Sequence, residues 1–142
     1  MLTYLLHRVF GAGRIPSDML PTLQNEGVLY LEEGRRGTIT YRNYSTPGRY
    51  TSWRKQGFVG ALALSSQRIV VYGWSARLMD LLYSEPVSKQ VAFSCETPTR
   101  LLAAFNANAF HKDRSGQIEL RFNTPQAEQA LQHLRSKIGA AL

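Results

Sequence analysis

With 142 residues, 44% of them hydrophobic, the chain fits one globular domain and is too apolar to be a disordered segment. Its single cysteine, Cys95, excludes an intrachain disulfide and a cysteine-based zinc site, and no apolar run reaches the length of a membrane span. The net charge of +7 attracts anions in general, and its placement along the chain says more than its size.

Residues 2–10 read as a short amphipathic helix. Leu2, Leu5, Leu6 and Val9 recur at helical spacing, and Phe10 adjoins that face. Five apolar side chains on one face need cover, which predicts packing against the chain's own sheet or against a second copy. One early arginine, Arg8, without a long apolar core or a small-residue cleavage site predicts no signal peptide and a cytoplasmic protein. Gly11, Gly13, Pro16 and Pro21 mark an irregular connection up to residue 27.

From Val28 the period switches to two, and a second region, 28–142, begins. Residues 28–33 and 38–44 are expected as strands around a Gly34-Arg35-Arg36-Gly37 turn. Ser45-Thr46-Pro47-Gly48 is a second turn, followed by a short strand at 50–54. Residues 58–64 and 68–74 form the clearest hairpin, around Ser65-Ser66-Gln67. Further strands are expected at 78–83, 91–96 and 100–105, with Pro86 and Thr97-Pro98-Thr99 between them and a polar loop at 106–116. Residues 117–123 alternate cleanly, with Ile118, Leu120 and Phe122 on one face.

A helix then follows. Thr124 is the expected N-cap, and Pro125 fits the first helical position, where its missing N–H costs nothing. Ala127, Leu131, Leu134 and Ile138 make one apolar stripe, and Gly139 is the expected stop. A sheet of seven or eight short strands must curl or leave long edges exposed, and a one-sided helix needs an apolar surface to cover. The expectation is a mainly β barrel of seven or eight antiparallel strands, closed by the C-terminal helix.

That order is similar to the pleckstrin-homology (PH)-like superfold, including the bacterial PH and GRAM-type domains. The likeness is carried by residues 60–72, Gly-Ala-Leu-Ala-Leu-Ser-Ser-Gln-Arg-Ile-Val-Val-Tyr: a strand ending in Leu-Ser, a short turn, then arginine followed by aliphatic residues. The resemblance implies the barrel-plus-helix fold and an interaction module for lipid, peptide or self-assembly. The sequence departs from eukaryotic PH domains in two respects. Its last helix has no tryptophan, and the spaced Lys then Lys/Arg-x-Arg pattern of phosphoinositide binders is not met; Arg35, Arg36 and Arg42 only approximate it.

The cations concentrate in one stretch. Between Gly34 and Met79 lie eight basic residues and no acidic one, whereas the rest of the chain holds nine basic and ten acidic residues. Arg35, Arg36, Arg42, Arg54 and Lys55 are the anion-binding candidates, with Arg35, Arg36, Arg54 and Lys55 gathered if the turns at 34–37 and 55–57 share one end of the barrel. Tyr41, Tyr44, Tyr50 and Trp53 interleave with Arg42, Arg49, Arg54 and Lys55, a pattern on which single-stranded nucleic acid can stack. Tyr41 shares the inward face with Ile39, and Trp53 reads as a side chain that plugs the barrel.

No phosphate loop, dinucleotide fingerprint or His-Glu metal helix is present. His111 and Asp113 fall in a polar loop without a nucleophile motif, and His133 lies off the helix stripe and is expected to face water. Cys95 alternates with Val91 and Phe93 and reads as buried and inert. The expected function is therefore non-enzymatic, needing no metal or cofactor: a self-associating module whose basic face meets an acidic protein or an anionic membrane surface. The alternative is a nucleic-acid-binding β-barrel that uses the Arg/Tyr/Trp-rich segment.

Overall fold

The computed structural model describes residues 13–74 and 76–138. Helix α1 (Leu20–Glu26) comes first, where the sequence suggested an irregular connection; Pro21 sits in its first turn, which has N–H groups to spare. Seven strands follow: β1 (Val28–Thr46), β2 (Arg49–Ser65), β3 (Arg68–Gly73), β4 (Ala76–Leu82), β5 (Ala92–Thr97), β6 (Arg100–Asn106) and β7 (Ser115–Asn123). Short 3-10 turns occupy Pro86–Gln90 and Ala107–Ala109, and helix α2 (Ala127–Ile138) ends the described chain. The expected helix at 2–10, with Leu2, Leu5, Leu6, Val9 and Phe10, lies outside the described residues, as does Gly139.

All seven strands join one antiparallel sheet in the order β4-β3-β2-β1-β7-β6-β5. The fold is mainly β with a C-terminal helix. The sheet is not closed, because among the described residues no ladder joins its outer strands, β4 and β5.

The largest departure from expectation is the length of β1 and β2. Gly34–Gly37 is not a turn. β1 runs through it, pairing Glu32 with Leu62 on one side and Arg35 with Gly60 on the other, and a bulge takes up the extra residues. Gly34, at φ 69°, supplies the left-handed backbone that the bulge requires. Residues 55–57 do not turn either, since Lys55 pairs with Thr40 and Gly57 with Thr38. The short strand at 50–54 is thus the distal half of β2. The Ser65-Ser66-Gln67 turn is where it was expected, with Ser65 Oγ accepting from the N–H groups of Gln67 and Arg68.

The main core lies on the inner face of the sheet. Phe58, Leu62 and Leu64 of β2 meet Ile69 and Val71 of β3 and Leu120 and Phe122 of β7 there. The apolar stripe of α2 covers it, packing along β5 and β6. Thr124 caps that helix, its Oγ1 accepting from Gln126 N–H at 3.2 Å. A second, smaller core lies on the outer face, where Ile15 and Leu23 bury Ala61, Ala63, Val70 and Tyr72. β2 and β3 are therefore covered on both sides here, which is why residues 58–64 read as a nearly unbroken apolar run rather than an alternating one.

Polar contacts join these layers. Arg68 donates to Glu26 at 2.7–3.0 Å and to Asp80 at 3.2 Å, tying the end of α1 to β3 and β4. Glu26 also accepts from Ser65 Oγ at 2.7 Å. Burial raises the Tyr83 phenol well above its ordinary value, and its hydroxyl donates to the carbonyls of Ser65 and Arg68 at 3.1 and 2.8 Å. His133 does not face open water as expected. Its Nε2 lies 3.0 Å from the Ser65 carbonyl, and its ring packs edge-on to Tyr83, so it helps seal α2 onto the sheet.

Candidate functional site

The long β1–β2 hairpin carries its cations beyond the covered core, and strand pairing decides where each one goes. Arg36 pairs with Val59 and Arg35 with Gly60, whereas Arg54 pairs with Tyr41 and Lys55 with Thr40. At about 3.4 Å per residue, the Arg35–Arg36 step lies roughly 14 Å along the ribbon from Thr40 and its partner Lys55. The four side chains expected together are therefore apart. Arg54 and Lys55 also face opposite sides of the sheet, being neighbours in one strand.

Many cations of the acid-free block are neutralised by carboxylates from elsewhere in the chain. Glu32 takes Arg35 at 3.2 Å, and Glu119 takes Arg42 at 3.3 Å. Arg68 is held by Glu26 and Asp80, and Arg77 reaches Asp80 at 3.6 Å. Arg49, Arg54 and Arg114 have no carboxylate partner among the described residues.

Those three arginines meet at one end of the sheet. Asn43, at φ 51°, forms a bulge opposite Gly116 and turns the end of the hairpin. A side chain on Gly116 would lie 2.7 Å from Tyr44 Cα, so β7 can approach the bulge only with glycine at this position. The result is a recess of about 270 Å³ lined by Tyr41, Tyr44, Arg49, Arg54, Arg114 and two threonines, with no carboxylate in its wall. Tyr41 and Tyr44 pack with ring centroids 4.9 Å apart, and Arg114 donates to the Tyr44 hydroxyl at 3.4 Å. Burial pushes the Tyr41 phenol up, Tyr44 adds to this, and Arg54 and Arg114 oppose it.

Tyr41, Tyr44 and Arg114 also border a larger cavity of about 630 Å³. Its floor is apolar, built from Ile39, Met79, Phe105 and Ile118, while Arg77, Asp80 and His111 stand among its polar lining. A volume of this size is typical of small-molecule sites. The end of the sheet thus combines an arginine cluster with a hollow of mixed lining, apolar in its floor and carrying Arg77, Asp80 and His111, an arrangement suited to a molecule with an anionic head and a partly apolar body.

The outer face of the same hairpin is different. Arg42, Trp53 and Lys55 line a groove of about 300 Å³ together with Arg121 of β7 and Arg100 of β6. Trp53 is 56% exposed and does not plug the interior as expected. Arg100, Arg114 and Arg121 were not among the sequence candidates, because they lie outside the acid-free block and join it only through β1–β7 and β6–β7 pairing. Cys95 is half-buried, its thiol pushed up by burial and by nearby Glu128. No protein-family model matches this chain, and no curated protein matches it significantly. Among the described residues, no helix is long and apolar enough to cross a membrane.

Proposed function

We propose that this chain is a non-enzymatic PH-like interaction module that docks on an anionic lipid surface by the arginine-ringed end of its sheet. Two runs of consecutive antiparallel strands, joined through β1 and β7 and followed by one helix over the core, support the PH-like reading. The observation that carries the functional reading is the junction of two recesses: an arginine-lined wall without carboxylates, and beside it a larger hollow with an apolar floor whose polar lining includes Asp80. An acidic protein surface would engage the arginines but has no need of the hollow; an amphiphile engages both.

Electrostatics alone gives weak binding. Three unneutralised arginines at about 1 kcal/mol each supply roughly 3 kcal/mol, weaker than millimolar affinity. Burial of an apolar segment in the hollow adds to this, and so does avidity if copies assemble through Leu2, Leu5, Leu6, Val9 and Phe10. Vesicle flotation with and without acidic lipid tests the reading. Binding should require acidic lipid, fall with added salt, and be lost in an Arg49→Glu/Arg54→Glu double variant. Binding that ignores lipid charge, or that survives this double variant, would exclude the lipid reading.

A further inference from the structure

The outer face of the sheet has a dry half and a wet half. Ile15, Leu23 and the rest of the α1 region cover it over Ala61, Ala63, Val70 and Tyr72. Beyond Gly57 that cover ends, and alternation turns Thr38, Thr40 and Arg42 of β1 outward beside Trp53, Lys55 and Gly57 of β2. Cross-strand rows then run Trp53–Arg42–Gln117, Lys55–Thr40–Glu119 and Gly57–Thr38–Arg121. The middle of this face is paved with small residues, Thr38 and Thr40, and the flanks carry large ones. That contrast in size makes the groove of about 300 Å³.

Its charges are of two kinds. Arg121 is fixed: it grips Glu96 with two hydrogen bonds, at 2.7 and 3.1 Å, and reaches Glu119 at 3.2 Å. Arg42 shares Glu119. These two carboxylates are thereby occupied, and Glu96 is held below the usual carboxylate range, chiefly by its hydrogen bond from Arg121. Lys55 and Arg100 have no carboxylate partner among the described residues; Arg100 donates to the Asn123 side chain at 3.2 Å. Both line the same groove as Glu96.

The exposed indole of Trp53 stands beside Lys55, two residues along its own strand, with Arg42 directly across the ladder, while Arg100 lies toward the other end of the groove, opposite Asn123. An exposed aromatic face flanked by unspent cations, over a floor too small to obstruct a ring, fits a ligand that alternates planar rings with negative charges. Single-stranded nucleic acid has that chemistry. A duplex keeps its rings stacked inside and offers only its backbone. We propose that this groove binds single-stranded nucleic acid, with a base stacked on Trp53 and phosphates along the groove held by Lys55 and Arg100. The groove and the arginine-ringed recess use opposite faces of β1, so each reading stands or falls without the other.

The test is fluorescence anisotropy of the full chain with a labelled oligothymidylate of about 12 nucleotides, competed by a duplex of equal length and by acidic vesicles. The single strand should compete about tenfold better than the duplex. With two phosphates engaged, log K should fall against log salt with a slope of about −1.4. Trp53→Ala should weaken binding about tenfold, and Trp53→Phe should restore most of it. Lys55→Gln/Arg100→Gln is a second variant that leaves Trp53 in place: both side chains are exposed and have no carboxylate partner among the described residues, so removing their charge leaves the sheet intact. It should abolish binding while the melting temperature holds. Equal competition by duplex, or binding unchanged in both Trp53→Ala and Lys55→Gln/Arg100→Gln, would overturn the proposal. Full displacement by acidic vesicles would overturn it too, in favour of a general polyanion surface.

Discussion

Two glycines three positions apart in β2 should respond in opposite ways to the same substitution. A Cβ on Gly60 would lie 2.9 Å from the Tyr72 carbonyl carbon, closer still to its oxygen, and 3.0 Å from the Phe58 ring. Ordinary contact begins near 3.4 Å, and the obstacle is backbone, so no rotamer change relieves it. Gly60 pairs with Gly73 in the β2–β3 ladder, and strand separation there breaks hydrogen bonds inside the core hairpin. Overpacking of this kind costs about 3 kcal/mol. For a chain of 142 residues the unfolding entropy is about 0.3 kcal/mol per degree, so Gly60→Ala should lower the melting temperature by about 10 °C. Gly57 has open space around its Cβ position. Alanine there only restricts the unfolded chain, a gain of about 0.5 kcal/mol, or roughly 2 °C upward. Thermal melts followed by circular dichroism measure both. A Gly60→Ala protein that melts within 2 °C of the parent, about the size of the Gly57 gain, would refute the packing account. So would a Gly57→Ala protein that melts below Gly60→Ala.

Two further outcomes follow from the charges and the thiol. Desolvation raises the partly buried Glu26 carboxyl, but hydrogen bonds from Arg68 and Ser65 and the Arg68 charge together outweigh it and hold it below the ordinary value of 4.5; Glu96 is lowered chiefly by its hydrogen bond from Arg121. Groups lowered by folding stabilise fully above the unfolded pKa and lose that contribution as pH falls through the folded one. Stability should therefore hold down to about pH 4.5 and fall below it. Glu26→Gln should cost about 2 kcal/mol at neutral pH, because Arg68 keeps Asp80, and the gap from the parent should narrow at pH 3 in urea melts. For Cys95, a thiol raised above its ordinary 9.0 should react slowly with a disulfide reagent at neutral pH and speed up only in strong base. Fast labelling at pH 7 would contradict its placement.

What the sequence revealed depended on how far apart the deciding residues lie. The 58–73 hairpin, the strand at 117–123 and the last helix are local patterns, and period two or 3.6 announces them directly. Gly34 and Gly37 misled because a turn and a bulge use the same glycine; only the register against Leu62 and Gly60 tells them apart. The charge map failed for a related reason. Arg42 is matched by Glu119, 77 positions away, and Arg68 by Glu26, 42 positions away. An acid-free window in the sequence is therefore not an acid-free surface. Arg54 was legible as a candidate, but its companions Arg49 and Arg114 come together only through the Asn43 bulge.

The outer core has a practical corollary for anyone who shortens this protein. Starting it at residue 28, where the β pattern begins, would strip Ile15 and Leu23 from Ala61, Ala63, Val70 and Tyr72. It would also take Glu26 from Arg68. The exposed alanine-valine strip would be flat and greasy, the kind of surface on which molecules stack into aggregates. Any shortened form must therefore keep the chain from at least Gly13, whose backbone is bonded to Gly34 and Trp74.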